Sequence, residues 1–542
     1  MTAVVFNRDA SVPSTLAKGA ISLVDTGSNT AAMYVGSNTN APVRVIGAPA
    51  QLQVSSAGAQ SIPTTFPTTK TFTFSAQPNL QWSIGARVRA SNDATHYMEG
   101  TISSYTSTSL VIGVDRAVGT GTLSGWSIGV VGDAGVGVYG YTVASYGAVG
   151  NGTDDDRSAI QNCINAAQSA NVPVIFDPSK TYLISTGLTA KAGNDGTVQW
   201  DLTIIGNGAV IKAGASMLML TINSQCTLAD KATGKATCHI NISDLEFNGN
   251  SVAPIGLMIG RSGYFLDGYL RNVISNVLVY NCTSGSAVWF YNSRQFHITN
   301  LVVRVSRVQV HADATNNFAG DLYFNGCDFE GVLISPSAGE CRGIHFDHCN
   351  FYQTVAGATV QMQPTGTGVT GDVWFDGCQF DSYINGDPPI VINASASGSK
   401  VYQVYISNNY FAGYHEQAVY ATTNTTGNAY MLQFTDNIVQ FFAVSPANDL
   451  VQFDKCHNVS VTNNQYHDIT VTGADQLHNF TTCQNVVCSG NISKNTSGYY
   501  HGVNLLSCTN AMVIGNGLDV GNAGVVNNAS STNVTSANNS QW

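Results

Sequence analysis

The stretch LYFNGCDF, residues 322–329, contains the pattern that decides the fold. Apolar and polar residues alternate, two turn residues follow, and a second apolar, variable, apolar group ends the pattern. IHFDHCNF at 344–351 and VWFDGCQF at 373–380 repeat it. The third positions of the ten copies that align are Ile242, Ile298, Phe324, Phe346, Phe375, Ile406, Phe434, Val461, Cys488 and Val513. From Phe324 onward the steps are 22 to 31 residues without a helical 3.6-residue period, so the sequence predicts an all-β solenoid of stacked coils.

Two further columns of residues support this register. Side chains at equivalent positions of successive coils lie about 4.8 Å apart, and stacked asparagines can hydrogen-bond from coil to coil. The sixth positions are Cys327, Cys349, Cys378, Asn409, Asn437, Asn464, Asn491 and Asn516, and a second column holds Cys456, Cys483 and Cys508. We expect these cysteines to be small core residues. The best candidate pair for the disulfide alternative is Cys226 with Cys238.

Composition and charge argue against several classes of protein. A net charge of −11 with only 22 Lys plus Arg disfavours a nucleic-acid partner. The N-terminal stretch MTAVVFNRDASVPS has no apolar signal region, and no apolar run approaches the roughly 18 residues that cross a bilayer. We therefore expect no simple secretion signal and no membrane insertion. No cysteine and histidine spacing typical of zinc occurs, and we expect no metal or other cofactor.

Three consecutive acids, Asp154, Asp155 and Asp156, stand in NGTDDDRSAI at 151–160. Asp154 or Asp155 is a suitable helix N-cap, and further negative charge suits the first turn. The apolar stripe behind them is Ala159, Ile160, Cys163, Ile164 and Ala167. An open solenoid end needs a cover. The acids are therefore interpreted as the start of a capping helix; a catalytic role is the open alternative.

The stretch YGAVGNGTDDDRSAIQNCINAA at 146–167 resembles the motif that begins the pectate-lyase-like right-handed parallel β-helix proteins. The coils that follow match this family, so the resemblance covers roughly residues 140–540. It implies a right-handed β-helix over 171–542, with the linker and capping helix at 136–170. This fold hosts lyases, hydrolases, esterases and adhesins, so the resemblance specifies the fold better than the chemistry.

The front of the chain is similar to modules of phage tail proteins. STLAKGAISLVDTGSNTAAMYVGSNTNAPVRVIG lies within residues 1–50, and residues 51–135 alternate strand patterns with Gly/Asn turns, as a small barrel or sandwich does. Together with the β-helix, these small β-rich modules resemble a bacteriophage tailspike or capsule depolymerase. The resemblance implies a homotrimer held on the virion tail or baseplate by residues 1–50. It also implies that the β-helix binds and cleaves a bacterial surface polysaccharide.

The second, outward position of five consecutive copies is aromatic: His297, Tyr323, His345, Trp374 and Tyr405. A row of aromatic faces can stack on sugar rings, and an exposed apolar stripe needs some partner. The equally open alternative is that this stripe lies in a trimer interface.

The outward seventh and ninth positions hold the candidate catalytic acids Asp328, Glu330 and Asp381. The candidate binding residues beside them are Arg304, Asn350, Tyr352, Gln379 and Tyr410. Asp328 and Glu330 are about 6.6 Å apart along a strand, and Glu330 and Asp381 about 9.6 Å apart across two coils. Both values are near the roughly 6.5–9.5 Å of inverting glycosidases. The alternatives are solvated charge or an ion pair with Arg304.

Asp347 and Asp376 are second-choice acids, because their position in a tight turn suits turn chemistry better. A lyase remains an alternative to the hydrolase: His345 with Tyr323, and Arg304 or Arg342, are candidates for its base and carboxylate-neutralising groups. A non-catalytic receptor-binding spike and a non-phage pectate-lyase-like enzyme also stay open.

Overall fold

The computed structural model describes all of the chain except residues 1–3, 8–20, 26–30, 37–41, 47–52, 77–81, 94, 131–139, 195–197, 228–237, 284, 314–317, 354–357, 383–386, 414–416, 425–427, 441–442, 445–448, 472–475, 495, 497–500, 521–523 and 542. The chain divides into two compact units, Met1–Tyr139 and Gly140–Trp542. Most of the predicted attachment module, residues 1–50, lies outside the described residues.

The first unit contains two larger sheets. One has the strands Val4–Asn7, Ile21–Asp25, Ala31–Gly36 and Pro42–Ile46, of which only the first pair is parallel. The other is antiparallel, with the strands Gln53–Ser56, Thr68–Thr73, Arg87–Ser91, Tyr97–Tyr105, Ser109–Val118 and Trp126–Val130; Gln60–Ser61 pairs separately with Thr122–Leu123. Phe72 and Trp126 meet edge to face in the core of this second sheet. The predicted module boundaries and the attachment role stay predictions.

The second unit begins with the predicted helix, Arg157–Ala170. Ile160, Cys163, Ile164 and Ala167 are buried in the solenoid core, which confirms the apolar stripe. The predicted N-cap is wrong: Asp156 occupies that position, and no acid lies in the first turn.

The three acids are engaged in the preceding turn, which explains this difference. Asp156 accepts hydrogen bonds from the backbone N–H groups of Val149 (2.6 Å) and Gly150 (3.0 Å), so its carboxylate does not cap the helix. Asp154 accepts from Asn151 Nδ2, and Asp155 accepts from the Ser185 hydroxyl. The triplet therefore ties the helix to the first coils.

After the helix the chain winds as a parallel β-solenoid of about 11 turns, which confirms the predicted fold class. Each coil crosses a sheet A, bends sharply into a sheet B, and returns through a separate sheet C. Shorter elements at the start are Tyr141–Thr142, the 3-10 helix Val143–Tyr146, Asn151–Asp155, Val174–Ile175 and Thr181–Ile184. The long strands Leu202–Ala213, Ile240–Asn248, Leu266–Tyr280 and Ser293–Val303 run through the bend.

From residue 318 on, the bend divides each coil into separate strands of sheets A and B. Sheet A has Phe318–Asn325, Glu340–Asp347, Val369–Asp376, Lys400–Ser407, Ala429–Thr435, His457–Thr462, Gln484–Ser489, Thr509–Ile514 and Thr532–Ala537. Sheet B has Asp328–Phe329, Asn350–Gln353, Gln379–Ser382, Tyr410–Gly413, Ile438–Gln440, Gln465–His467, Ile492–Lys494, Gly517–Leu518 and Ser540–Gln541.

Sheet C lies on the far side of the core. Its strands are Leu188–Asn194, Gln199–Trp200, Leu218–Ser224, Ile255–Ile259, Val288–Tyr291, Val308–His311, Val332–Ile334, Val360–Met362, Ile390–Ala394, Val419–Thr423, Val451–Asp454, Gln476–Thr481, His501–Leu506 and Val526–Ala529. Ala443–Val444 and Thr470–Val471 form an extra pair. All ten predicted inward third positions are buried, and the nine from Ile298 to Val513 pair in register from coil to coil. Ile242 pairs instead with Ile274, in a coil that was not predicted and that lies before the coil of Ile298.

The bend between sheets A and B is built on the predicted side-chain ladder. Asn409, Asn437, Asn464 and Asn491 each donate their amide to the next asparagine of the column at 2.9–3.1 Å. Each also donates to a main-chain carbonyl, as Asn464 does to Phe434 O at 2.8 Å. The buried amides are therefore satisfied. All twelve cysteines are free and buried, so the Cys226–Cys238 disulfide is not formed.

Candidate functional site

Five aromatic side chains form a continuous stack on the outer face of sheet A. His297, Tyr323, His345, Trp374 and Tyr405 belong to consecutive coils and pair in register. Neighbouring ring centroids are 4.1–5.4 Å apart, and the ring planes differ by 6–17°. The inner rings therefore cover one another's faces. The expectation that sugars lie on these faces is wrong for the inner rings, which offer their edges.

A groove of about 440 Å³ lies along this stack, on the side of the bend. Its lining includes His297, Tyr323, His345, Trp374, Asp347 and Asp376. Asp347 accepts a hydrogen bond from Asn325 Nδ2 at 2.9 Å, and Asp376 accepts one from Asn408 Nδ2 at 2.8 Å. These contacts between coils agree with the turn interpretation of both acids.

His345 occupies the middle of the stack, and its environment favours the uncharged imidazole. Burial lowers its pKa from the usual 6.5, while the negative charges of Asp372 and Asp347 act in the opposite direction. A neutral imidazole has one donor and one acceptor nitrogen. Near pH 7 the edge of this ring can therefore both donate and accept a hydrogen bond.

A column of left-handed residues stands two positions before the rings in the same five coils: Gln295, Asp321, Gly343, Asp372 and Gln403, all with positive φ. The sequence-based search missed Asp321 and Asp372. A signal for them exists, because AGDLYF at 319–324 and TGDVWF at 370–375 each place Gly-Asp directly before the coil pattern. Asp and Gly tolerate this backbone conformation better than most residues.

Basic groups alternate with these acids on neighbouring coils. Arg294 donates to the buried Asp267 at 2.6 Å. Burial raises the pKa of Asp321, and the positive charges of Arg294 and Arg342 oppose that shift. Arg342 also interacts with the Tyr402 hydroxyl, and the pKa of that hydroxyl is raised, chiefly by burial. The result is a network of mixed charge beside the aromatic stack.

The acids nominated from the sequence lie around the bend, on and beside sheet B. Asp328 forms an ion pair with Arg304 at 3.3 Å and accepts from Asn350 Nδ2 at 2.7 Å. Arg304 also lies 5.4 Å from the ring centroid of Tyr352. The outward column continues in register through Asn350, Gln379 and Tyr410. The structure thus brings the predicted binding residues together. Asp328 forms the ion pair with Arg304 that was the alternative to a catalytic role.

Glu330 and Asp381 differ in their exposure. Glu330 is only 7% exposed, so its assignment as an outward, solvated residue is wrong; it directly follows the strand Asp328–Phe329. Asp381 is half-buried and pairs in register with Tyr352. The catalytic role of these two acids and of Asp328 stays a prediction.

The described residues also bear on metal binding and on membrane insertion. Within the described ranges there is no group of three or more His, Cys, Asp or Glu side chains placed to hold a metal ion. In the same part of the chain, no helix has the length and apolar character needed to span a membrane.

No protein-family model matches the sequence. Over 115 residues the chain is 31% identical to mannuronan C5-epimerase AlgE1 of Azotobacter vinelandii. This alignment covers 20% of this chain and 8% of that protein. Over 314 residues it is 24% identical to the plasmin and fibronectin-binding protein A of Streptococcus pneumoniae, covering 49% of this chain and 42% of that protein. The chain therefore matches less than half the length of either relative.

Solved structures similar to the chain include phage tailspikes. The tailspike protein of E. coli bacteriophage HK620, solved in complex with a pentasaccharide, aligns with 73% of this chain and 80% of its own, at 13% identity and a TM-score of 0.37. The A-module of mannuronan C-5 epimerase AlgE4 of Azotobacter vinelandii aligns with 73% of this chain and 99% of its own, at 17% identity and a TM-score of 0.38.

Proposed function

We propose that this chain is a bacteriophage tailspike whose β-helix binds a bacterial surface polysaccharide, capsule or O-antigen, and hydrolyses its glycosidic bonds. The observation that carries the proposal is the stack of five aromatic rings beside a groove of about 440 Å³, whose lining includes the carboxylates of Asp347 and Asp376. The similarity to tailspikes and to a mannuronan epimerase agrees with a polysaccharide as ligand.

The shape of the stack suits a polymer better than a single sugar. Five rings on consecutive coils extend over about 19 Å at ~4.8 Å per coil. Imidazole, phenol and indole edges combine apolar carbon with hydrogen-bonding groups, which fits sugars that present hydroxyls and CH groups together. The stack therefore offers a line of repeated mixed contacts along a sugar chain.

Hydrolysis requires one group that protonates the leaving oxygen and one that activates water. The acids nominated from the sequence for these tasks are Asp328, Glu330 and Asp381. In the proposed tailspike the protein is a homotrimer attached to the virion tail or baseplate by its N-terminal region, and it acts at the bacterial surface. No cofactor, nucleic-acid partner or membrane insertion belongs to this proposal.

The test is exposure of the purified protein to a panel of isolated capsular and O-antigen polysaccharides, with binding and product size measured together. Trp374→Ala removes the indole that stacks between His345 and Tyr405, and Tyr420→Ala on the outer face of sheet C is the matched control. We expect shortening of one polymer and, in Trp374→Ala, affinity about tenfold lower, equivalent to about 1.4 kcal/mol. No binding across the panel contradicts the proposal.

A second candidate function is β-elimination from a uronate-containing polymer. The uncharged His345 imidazole is a suitable base, and Arg342 lies three residues before it on the same strand. Ultraviolet absorbance of an unsaturated uronate product distinguishes this reaction from hydrolysis. Binding without any shortening leaves a receptor-binding spike.

A further inference from the structure

The left-handed column beside the aromatic stack changes its character along the solenoid. In the C-terminal coils it is an exposed asparagine ladder, in which Asn485 donates to Asn458 at 2.8 Å, Asn510 to Asn485 at 3.0 Å and Asn533 to Asn510 at 3.0 Å. Asparagine suits this position twice, because it tolerates positive φ and has both a donor and an acceptor for its neighbours. The ladder is thus the structural solution for this column.

Beside the aromatic rings the same column has no asparagine ladder in three successive coils. Asp321, Gly343 and Asp372 occupy three successive coils there, two residues before Tyr323, His345 and Trp374. Ionised carboxylates have no donor and glycine has no side chain, so no ladder can form. Three successive coils beside the rings therefore have no amide in this column, whereas the C-terminal coils have the asparagine ladder.

Gly343 makes room for the carboxylate of Asp321. A Cβ atom added to Gly343 would lie 2.6 Å from Asp321 Oδ1, so the carboxylate of Asp321 extends over the glycine coil. The backbones of Asp321 and Asp372 are two coils, about 9.6 Å, apart. Because Asp321 leans across the intervening coil, its carboxylate is closer to Asp372 than that spacing.

The surroundings of Asp321 raise the pKa of its carboxyl group above the usual value. Burial raises its pKa, Asp267 and Asp372 raise it further, and Arg294 and Arg342 lower it. In the preceding coil, the buried Oε1 atom of Gln295 has no hydrogen-bond partner. A protonated carboxyl group is a donor as well as an acceptor, whereas an ionised one only accepts.

We propose that Asp321 and Asp372 are the catalytic pair of the hydrolysis, ahead of the acids nominated from the sequence, with the sugar chain held on the ring edges of Tyr323, His345 and Trp374. This inference rests on the proposed function. Asp321 donates its proton to the glycosidic oxygen as the C1–O bond breaks. Asp372 takes a proton from the water whose oxygen forms the new bond to C1, and exchange with solvent restores both groups.

Gly343 is a positioning residue in this scheme. Replacement by Asn supplies the residue that the C-terminal coils use at the same position, so the left-handed backbone is retained. Its side chain occupies the space that the Asp321 carboxylate now fills. Gly343→Asn therefore displaces the Asp321 carboxyl group but keeps it in the protein, whereas Asp321→Asn removes it.

The experiment uses the full chain and the polysaccharide that the wild-type protein shortens. Asp321→Asn, Asp372→Asn and Gly343→Asn are compared with Asp436→Asn, an exposed acid with positive φ at the bend of a later coil. We expect product formation to fall by about 100-fold or more in the first three, in line with the 10²–10⁴ contributed by acid–base groups, and to stay unchanged in Asp436→Asn. Binding and the thermal midpoint should change little in Asp321→Asn and Asp372→Asn.

Full activity in Asp321→Asn or Asp372→Asn overturns the inference while the proposed function stands. Failure of the wild-type protein to shorten any polymer removes hydrolysis itself, and that result is seen before any variant is made. If Gly343→Asn keeps full activity although Asp321→Asn is inactive, the positioning role of the glycine is wrong.

Discussion

The imidazole of His345 lies parallel to the indole of Trp374, with ring centroids 4.1 Å apart and planes 6° apart. On its other face the same imidazole stacks on Tyr323 at 4.8 Å. His345 is therefore a structural link of the stack as well as a polar group at the groove.

Replacing His345 separates these two contributions. His345→Ala removes two stacked pairs, each typically worth about 0.5–1.5 kcal/mol, so we expect unfolding to become easier by about 1–3 kcal/mol. His345→Phe keeps a ring and should retain most of that stability, while losing the polar edge and weakening polysaccharide binding. Denaturant unfolding and a binding titration of both variants measure the two effects. Equal stability of the two variants contradicts a structural role for the stack.

The lowered pKa of His345 gives a stability change with a defined sign. Because the folded state holds this proton less tightly than the unfolded state, the associated stability is complete above the ordinary value of 6.5 and is lost as pH falls toward the lower folded pKa. The negative charges of Asp372 and Asp347 oppose this lowering of the pKa and so narrow the pH range over which the stability is lost. We expect wild-type stability to fall more than that of His345→Phe between about pH 7 and pH 5. If the free energy of unfolding falls equally with pH in the two proteins, His345 does not cause the pH dependence of stability.

The buried asparagine ladder should be far more sensitive than an exposed one. Asn464 Oδ1 accepts from both the backbone N–H and the side-chain amide of Asn437, so Asn464→Ala leaves two buried donors unpaired. At about 1–3 kcal/mol for each, we expect a loss of about 2–6 kcal/mol in the free energy of unfolding. Asn504→Ala, in the partly exposed ladder on sheet C, is the control and should lose about 1 kcal/mol or less. Similar losses in both variants contradict the assignment of the bend ladder as a stabilising core element.

The two sets of candidate acids give different mutational patterns. Asp328→Asn, Glu330→Gln and Asp381→Asn test the sequence-based nomination, and Asp321→Asn with Asp372→Asn tests the left-handed pair. Since Asp328 is paired with Arg304 and Asn350, we expect Asp328→Asn to weaken substrate binding through Arg304 more than it slows product formation. Initial rates and affinities for all five variants separate binding from chemistry. Large rate losses confined to the first three favour the nomination from the sequence.

The fold was predictable because the solenoid repeats one physical solution at nearly constant spacing. Phe324, Phe346 and Phe375 face inward at equivalent positions, and one alignment places the coils from Ile298 onward. The coil at Ile274, between the predicted coils at Ile242 and Ile298, was not predicted. The coil at Ile204 was missed because an additional Gly206-Asn207-Gly208 bend shifts the register and hides the pattern. Local spacing cannot show such an insertion.

The site was predictable only in part. The alternation that places residues outward identified the aromatic stack, but it assumed a regular strand and therefore passed over residues with left-handed backbone conformation. Asp321 and Asp372 lie at left-handed positions that alternate with neither face, and Glu330 follows the end of its strand. Sequence periodicity predicts the residues in the regular strands of a coil, whereas these candidate catalytic residues lie where the backbone departs from a regular strand.

Catalysis by Asp321 is tested by the size distribution of a bacterial surface polysaccharide before and after incubation with the wild-type chain, measured beside Asp321→Asn. We expect shortened polysaccharide with the wild-type protein and polysaccharide of the original length with the variant, although both proteins bind the polymer. Polymers that keep their length with the wild-type protein, or that are shortened equally by the variant, contradict catalysis by Asp321.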